Sequence, residues 1–484
     1  MMEEKLFARQ FLLTKEKFTK PFESWNTLPV GDFSLHTHPF LEVTSIKKDP
    51  VHLVLIGYLF DYDPFKRSNM DIVSELAKMD FQSYVKRLGR YTGQYVLLRV
   101  EADSFTLISD AGAQREVYYT TDFSAFASQP KLIGQSKELV PHSGEKAKAF
   151  YNSVKFKKKT IFIGDTTHWE NVKHLSPNHY IDISNQKIAR FFPFNKKTEK
   201  PLDFVVDEAI KRITGFLKAV EQRHKVALPV TAGYDSRLLF AASLGIDCRY
   251  FVFKHRKLNE KHYDIAISRK LLKDQNKPFE VITYNEAPDE NIKTVHNRSI
   301  DFPRAENTAL IYNGYNRLFA DYTVLDTIMS ELARNRYGNF RKLNAADLAY
   351  LNHYKGDAFA VSVYNDWLKA NSKAITDNDY NIPDLFYWEE IMGNWAAKSK
   401  TEYMLGTEFF SLLNSRELIE LLMSVNIRYR NTNNNILYNS IIAKLAKDAL
   451  KYPMNPSRRT SMQVALQRMK IYDAYRYLKL KLKL

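Results

Sequence analysis

The chain has 484 residues, 45% hydrophobic and 26% charged, which suits two or three folded domains and excludes a single core. Its one cysteine, Cys248, excludes an intrachain disulfide framework and a cysteine-rich zinc site. The formal net charge of +16 points to an anionic partner (nucleotide, nucleic acid or membrane surface) or equally to general lysine enrichment.

No apolar run approaches the roughly 18 residues of a membrane span. The opening MMEEKLFARQ carries early acidic residues and no apolar stretch of a secretory leader, so a cytoplasmic protein is expected. Residues 1–190 hold short runs with period-2 or continuous apolar patterns, among them HLVLIGYLFDY, GQYVLLRVEADSFTLISD and HYIDISNQKIARFF. These predict an antiparallel sheet domain, with hairpin turns at EADS and SNQK. One helix is expected over 71–89, on the spacing of Ile72, Val73, Leu76, Phe81 and Val85, with Gly89 as its stop. His36 and His38 form an H-x-H pair without a third ligand nearby, too little for a metal site.

The polar, Pro-flanked stretch 193–204 reads as a linker between domains at 1–192 and 205–484. After it helices alternate with the strands KVALPVT, CRYFVFK, FEVITYN and TVLDT, which predicts a parallel α/β sheet. From about residue 343 the chain reads as helical. The basic tail 457–484 has an amphipathic pattern, suited to docking on the helical bundle or to peripheral contact with an anionic membrane.

The segment VALPVTAGYDSRLLFAASLGI joins the first of these strands to a helix, the place where open α/β sheets bind ligands. The helix N-terminus attracts anions. Gly233 allows close backbone approach, and the Thr231 and Ser236 hydroxyls suit phosphate oxygens. Asp235 belongs at such a site only with a cation, most simply Mg2+; alternatively Asp235 or Ser236 is an N-cap.

TAGYDSR resembles the S-G-G-x-D-S pyrophosphate loop of the asparagine synthetase-like ATP pyrophosphatases, with Ala232 for the first Gly and Arg237 after the motif. Residues 89–133, with Asp110, Gly112, Tyr118, Tyr119, Ala127 and Ser128, resemble the core of that family's glutaminase domain. TVLDTIMSELARNRYGNF is similar to the second pyrophosphate motif, with Glu331 and Tyr337 on its E and Y and Ser330 in place of its D.

The resemblance implies an Ntn-hydrolase-like domain followed by a PP-loop ATP pyrophosphatase domain with a helical C-terminal part. It implies ATP and Mg2+ as cofactors. Residues 231–237 (Thr231, Ala232, Gly233, Tyr234, Asp235, Ser236 and Arg237) would form the loop, and adenine would lie on the backbone around Val252. Asp235 and Glu331 would hold the metal, with Asp326 a weaker candidate. Arg334 would reach a phosphate or a substrate carboxylate, or pair with Glu331. A basic residue among Lys398, Lys400, Arg458 and Arg459 would reach the phosphates. The family's glutaminases need an N-terminal cysteine nucleophile, and this sequence has none near its start, so glutamine hydrolysis is not expected. The function implied is an AMP-forming amide ligase that joins a small-molecule or peptide carboxylate to an amine, to ammonia, or to nitrogen from a partner glutaminase. Asparagine synthesis from aspartate and a nucleotide-binding scaffold without chemistry are the alternatives; nucleic-acid binding rests on net charge alone.

Overall fold

A computed structural model describes residues 3–15, 21–255, 258–340, 343–432, 434–456, 475, 478 and 480–482. Arg458, Arg459 and nearly all of the basic tail lie outside the described residues. Among the described residues no helix is long and apolar enough to cross a membrane.

The alternating runs of the first 190 residues form two six-stranded sheets, antiparallel throughout. One runs in the order Val172–His174, Tyr118–Thr120, Ala125–Ala127, Phe11–Thr14, Phe33–Thr37, Asn26–Val30; the other runs Lys187–Arg190, His179–Asp182, Ser104–Ser109, Thr92–Glu101, Val51–Phe60, Val43–Lys48. The expected turns at EADS and SNQK close two of the hairpins. Alternate side chains, including Leu13, Leu35, Ile56, Leu98 and Phe126, meet between the sheets in a dry core. The stretch 71–89 is two helices rather than one, Asn69–Leu76 and Phe81–Leu88. Asp80 accepts from the Ser83 N–H at 2.9 Å and starts the second as its N-cap. The expected apolar spacing still holds, because both helices lay Ile72, Leu76 and Val85 on the outer face of the second sheet.

The parallel sheet has five strands, in the order Glu280–Thr283, Cys248–Lys254, Lys225–Pro229, Tyr322–Asp326, Glu408–Ser411. Four were expected from the alternation. The fifth, EFFS, lies in the stretch read as helical; its four residues are all buried and too few to display a period. The helix Leu202–Glu221 begins inside the expected linker, after Pro201. The decisive feature is the strand order. The chain builds outward from Lys225–Pro229 in one direction, then returns to place Tyr322–Asp326 on its other side. The order reverses between these two strands, and the turns leaving their carboxyl ends flank one crevice.

Buried polar contacts fasten the antiparallel sheets to the rest. Asn414 donates to the Gly93 carbonyl and to Asp110, both at 2.8 Å, and accepts from the Gly112 N–H at 2.8 Å. Trp388 donates to the Ala111 carbonyl at 2.7 Å. Gly93 tolerates no side chain: its φ is +141° and a Cβ would lie 2.0 Å from the Tyr58 carbonyl oxygen. Replacing Asn414 by Ala removes three buried hydrogen bonds and is expected to cost about 2–4 kcal/mol, read as a lower urea midpoint. A midpoint unchanged in Asn414→Ala would show that these contacts do not hold the sheets together.

Candidate functional site

At the crevice, the loop after Lys225–Pro229 leads into the helix Tyr234–Ala242. The N-cap is Gly233 and no side chain caps the helix, so neither Asp235 nor Ser236 is spent on that role. The loop is held by its own polar groups. The Thr231 and Ser236 hydroxyls lie 2.9 Å apart, Ser236 donates to the Thr231 carbonyl at 3.1 Å, and the Thr231 N–H donates back to Ser236 at 3.2 Å. The Ala232 N–H donates to Asp264 at 2.9 Å. Ala232 does not adopt positive φ, so its Cβ costs no strain where the resembled motif has Gly. Gly233 is likewise extended, at φ −78°. Tyr234 lines a cavity of about 540 Å³ with Asn434, Tyr452 and Asn455, and the Asn455 N–H donates to the Ala232 carbonyl at 3.1 Å.

Arg237 does not face the loop's mouth. It is fully buried and donates to the carbonyls of Ala449, Tyr452, Pro453 and Ala232. Burial draws its guanidinium down to about 10. It is a clamp between the loop and residues 449–453, not a phosphate ligand. Val252 also differs from expectation. The Phe251 carbonyl accepts from the Val230 N–H at 2.9 Å, so alternation turns the Val252 peptide groups to its partner Val281. The peptide groups turned toward the Lys225–Pro229 side are those of Phe251 and, by alternation, Phe253. A cavity of about 750 Å³ opens beyond this strand, lined by Lys254, Leu258, Glu260 and Tyr284.

The two expected carboxylates do come near each other, with an arginine between them. Ser330, Glu331 and Arg334 share the 3-10 helix Ile328–Arg334 that follows Tyr322–Asp326. The Ser330 hydroxyl donates to Asp235 Oδ1 at 2.5 Å, and Arg334 Nη1 donates to Asp235 Oδ2 at 2.5 Å. Arg334 Nη1 also lies 3.9 Å from Glu331 Oε1. Glu331 accepts from the Tyr387 hydroxyl and lies 3.7 Å from Arg336. Among the described residues no group of three His, Cys, Asp or Glu side chains is placed to hold a metal. Two unit charges about 4 Å apart repel by about 4 kcal/mol at an effective dielectric of about 20, and a divalent ion beside Arg334 would meet about twice that. As arranged, these residues do not fit Mg2+ shared by Asp235 and Glu331.

The other candidates are spoken for. Asp326 pairs with the buried Lys400, and Lys398 donates to the carbonyls of Thr160, Asp301 and Phe302. Burial draws the Lys398 ammonium down to about 8. Cys248 is buried at a strand start, where desolvation pushes its thiol up. His38 meets the Glu4 carbonyl at 2.9 Å, and burial lowers it to about 4; His36 lies 3.0 Å from the Thr27 hydroxyl.

Next to the crevice lies a cavity of about 910 Å³ between the two halves of the chain. Glu331, Arg336, Tyr387 and Glu390 line it from one side and Lys158 and Lys159 from the other; Arg304, Lys355 and Trp395 add to its wall. Five of its lining side chains are basic and three acidic. Sequence reading missed Arg336, Tyr387 and Asp264: they come from three elements far apart in the chain, and no local pattern marks them.

No family model matches the chain, and no curated protein matches it. Among solved structures it is similar to the allosteric regulatory enzyme of purine biosynthesis, with 11% identity and a TM-score of 0.24 over 54% of this chain and 62% of that one. It is also similar to glutamine phosphoribosylpyrophosphate (PRPP) amidotransferase from B. subtilis, solved with ADP and GMP, with 10% identity and a TM-score of 0.22 over 69% and 73%. The chain thus spans less than two thirds of the first of these. The likeness is a distant one of fold, and carries nothing about activity or substrate.

Glu390 gives the cavity wall a pH dependence. It accepts from the Tyr364 hydroxyl at 2.7 Å, Asn352 at 2.8 Å, the Gly164 N–H at 2.8 Å and Asn394 at 3.3 Å. Burial outweighs these donors and raises its carboxyl from 4.5 to about 7. The folded chain therefore favours the protonated form, and the stability this contributes is complete below about pH 4.5 and lost as the pH rises through about 7. Thermal stability is expected to fall more steeply between about pH 5 and 8 in the native chain than in Glu390→Gln, which has no such proton to lose. Parallel pH profiles for the two would contradict it.

Proposed function

We propose that the chain binds a nucleoside triphosphate, ATP, at loop 230–236 and uses it to activate a carboxylate in the 910 Å³ cavity for amide formation. The observation that carries this reading is the short helix Ile328–Arg334. Arg334 pairs with the loop through Asp235, while Glu331, three residues earlier, lines the cavity. An acid in the cavity would extend its carboxylate past Glu331 and Arg334 to a nucleotide on the loop.

A carboxylate oxygen attacks the α-phosphorus, the bond to pyrophosphate breaks, and an acyl-adenylate forms. The amine nitrogen then attacks the acyl carbon, AMP leaves with the acyl oxygen, and the nitrogen gives up a proton. The uncapped helix N-terminus at Gly233 is suited to the charge that builds on the departing pyrophosphate. Arg304, Arg336 and Lys159 are suited to hold the acid. A cavity of about 910 Å³ is near the top of the range for small-molecule sites, roughly 300–1,000 Å³, which favours an acid larger than aspartate. With the one thiol buried, nitrogen would come from ammonia, from a partner, or from an amine on the substrate.

One observation favours a second reading, nucleotide binding without chemistry: both Asp235 oxygens are already engaged within the protein. ATP–pyrophosphate exchange with a panel of carboxylic acids separates the two. The ligase reading expects exchange with one class of acid, reduced about 100-fold in Ser236→Ala. ATP binding without exchange for any acid supports the second reading, and absence of both contradicts each.

A further inference from the structure

The arginine at the loop has a consequence for how a nucleotide is bound, which rests on the nucleotide reading above. Arg334 has 4% of its side chain exposed and carries five N–H donors in a fixed fork. Nη1 donates to Asp235 and Nη2 to the Thr432 carbonyl at 3.3 Å. Nε is buried without a partner, a state it shares with the Nε atoms of Arg87, Arg212, Arg237 and Arg430. The guanidinium carbon lies 5.7 Å from the centre of the Tyr234 ring, and Asp235, which grips Nη1, is the second residue of the uncapped helix. A fixed positive charge with a spare donor therefore stands beside the anion-attracting end of that helix. Ser330, the other group on Asp235, is a hydroxyl, and Glu331, 3.9 Å from the same Nη1, is itself 3.7 Å from Arg336.

We propose that Arg334, positioned by Asp235, supplies the positive charge that balances the nucleotide's phosphates, so that this chain binds ATP without a divalent cation. Asp235 then acts as a positioning residue for Arg334, not as a metal ligand. Arginine suits the role because it is always protonated and its fork matches phosphate geometry.

The test is calorimetric titration of the full chain with ATP, once with Mg2+ and once with EDTA. The affinities are expected to agree within about threefold, and Arg334→Gln to bind about tenfold or more weakly in both conditions, with Arg334→Lys in between. An affinity that falls about tenfold or more in EDTA overturns the inference and leaves the nucleotide reading standing. Arg334→Gln that is folded by circular dichroism and binds as the native chain also overturns it. The EDTA comparison needs no variant, so a misfolded Arg334→Gln does not protect the claim. Failure to bind ATP in either condition overturns the nucleotide reading and this inference together.

Discussion

The ion pair between Asp235 and Arg334 joins the two turns at which the parallel sheet reverses its order. Everything proposed for this protein depends on it. The strand order brings the ends of Lys225–Pro229 and Tyr322–Asp326 side by side and leaves a crevice between the turns that follow. The ion pair then fixes how those turns face each other. Arg334 is held on Asp235 and on the Thr432 carbonyl, Ser330 on Asp235, and the Tyr438 hydroxyl on the Ser330 carbonyl at 2.5 Å. A buried arginine is costly to leave unpaired, so this arrangement specifies the geometry of the crevice as well as its charge.

The same economy recurs around the site. Arg237 and Lys398 are buried cations that donate to backbone carbonyls, and Lys400 pairs with Asp326. Each ties a segment late in the chain to an element formed earlier: 449–453 to the loop, the helix Ala397–Met404 to residues 160 and 301–302, and the same helix to the end of Tyr322–Asp326. The high net charge of the sequence is thus in part structural, with several basic side chains inside the fold instead of displayed to a partner. The basic side chains that remain at a cavity, Lys158, Lys159, Arg336 and Lys355 among them, gather where the two halves meet.

Much of the architecture was legible in the sequence because it depends on local periodicity. The period-2 runs became two antiparallel sheets, and the alternation after residue 204 became a parallel one. The departures have local causes that compete with periodicity. Asp80 caps a second helix inside an unbroken apolar pattern, and EFFS is too short to show a period. At the site, the loop's position and its hydroxyls followed from TAGYDS, but the partners of Asp235 did not. Whether Asp235 meets a metal or an arginine is decided 95 and 99 residues away, by Ser330 and Arg334. Arg237 shows the same limit: beside a glycine loop an arginine reads as a ligand or an ion-pair partner, and only the packing of 449–453 reveals three carbonyls there, besides that of Ala232, waiting for it. Within Phe251–Phe253 the side to which each peptide group points depends on register, which the sequence alone does not display.

The central claim is that the two turns of the crevice act as one nucleotide site. Hydrogen–deuterium exchange of the full chain, with and without ATP, tests it most directly. The account predicts slowed exchange in 230–237 and in Ile328–Arg334 together, since a ligand seated between them would steady both. Slowing confined to 254–261, or no change in either turn at saturating ATP, would contradict it.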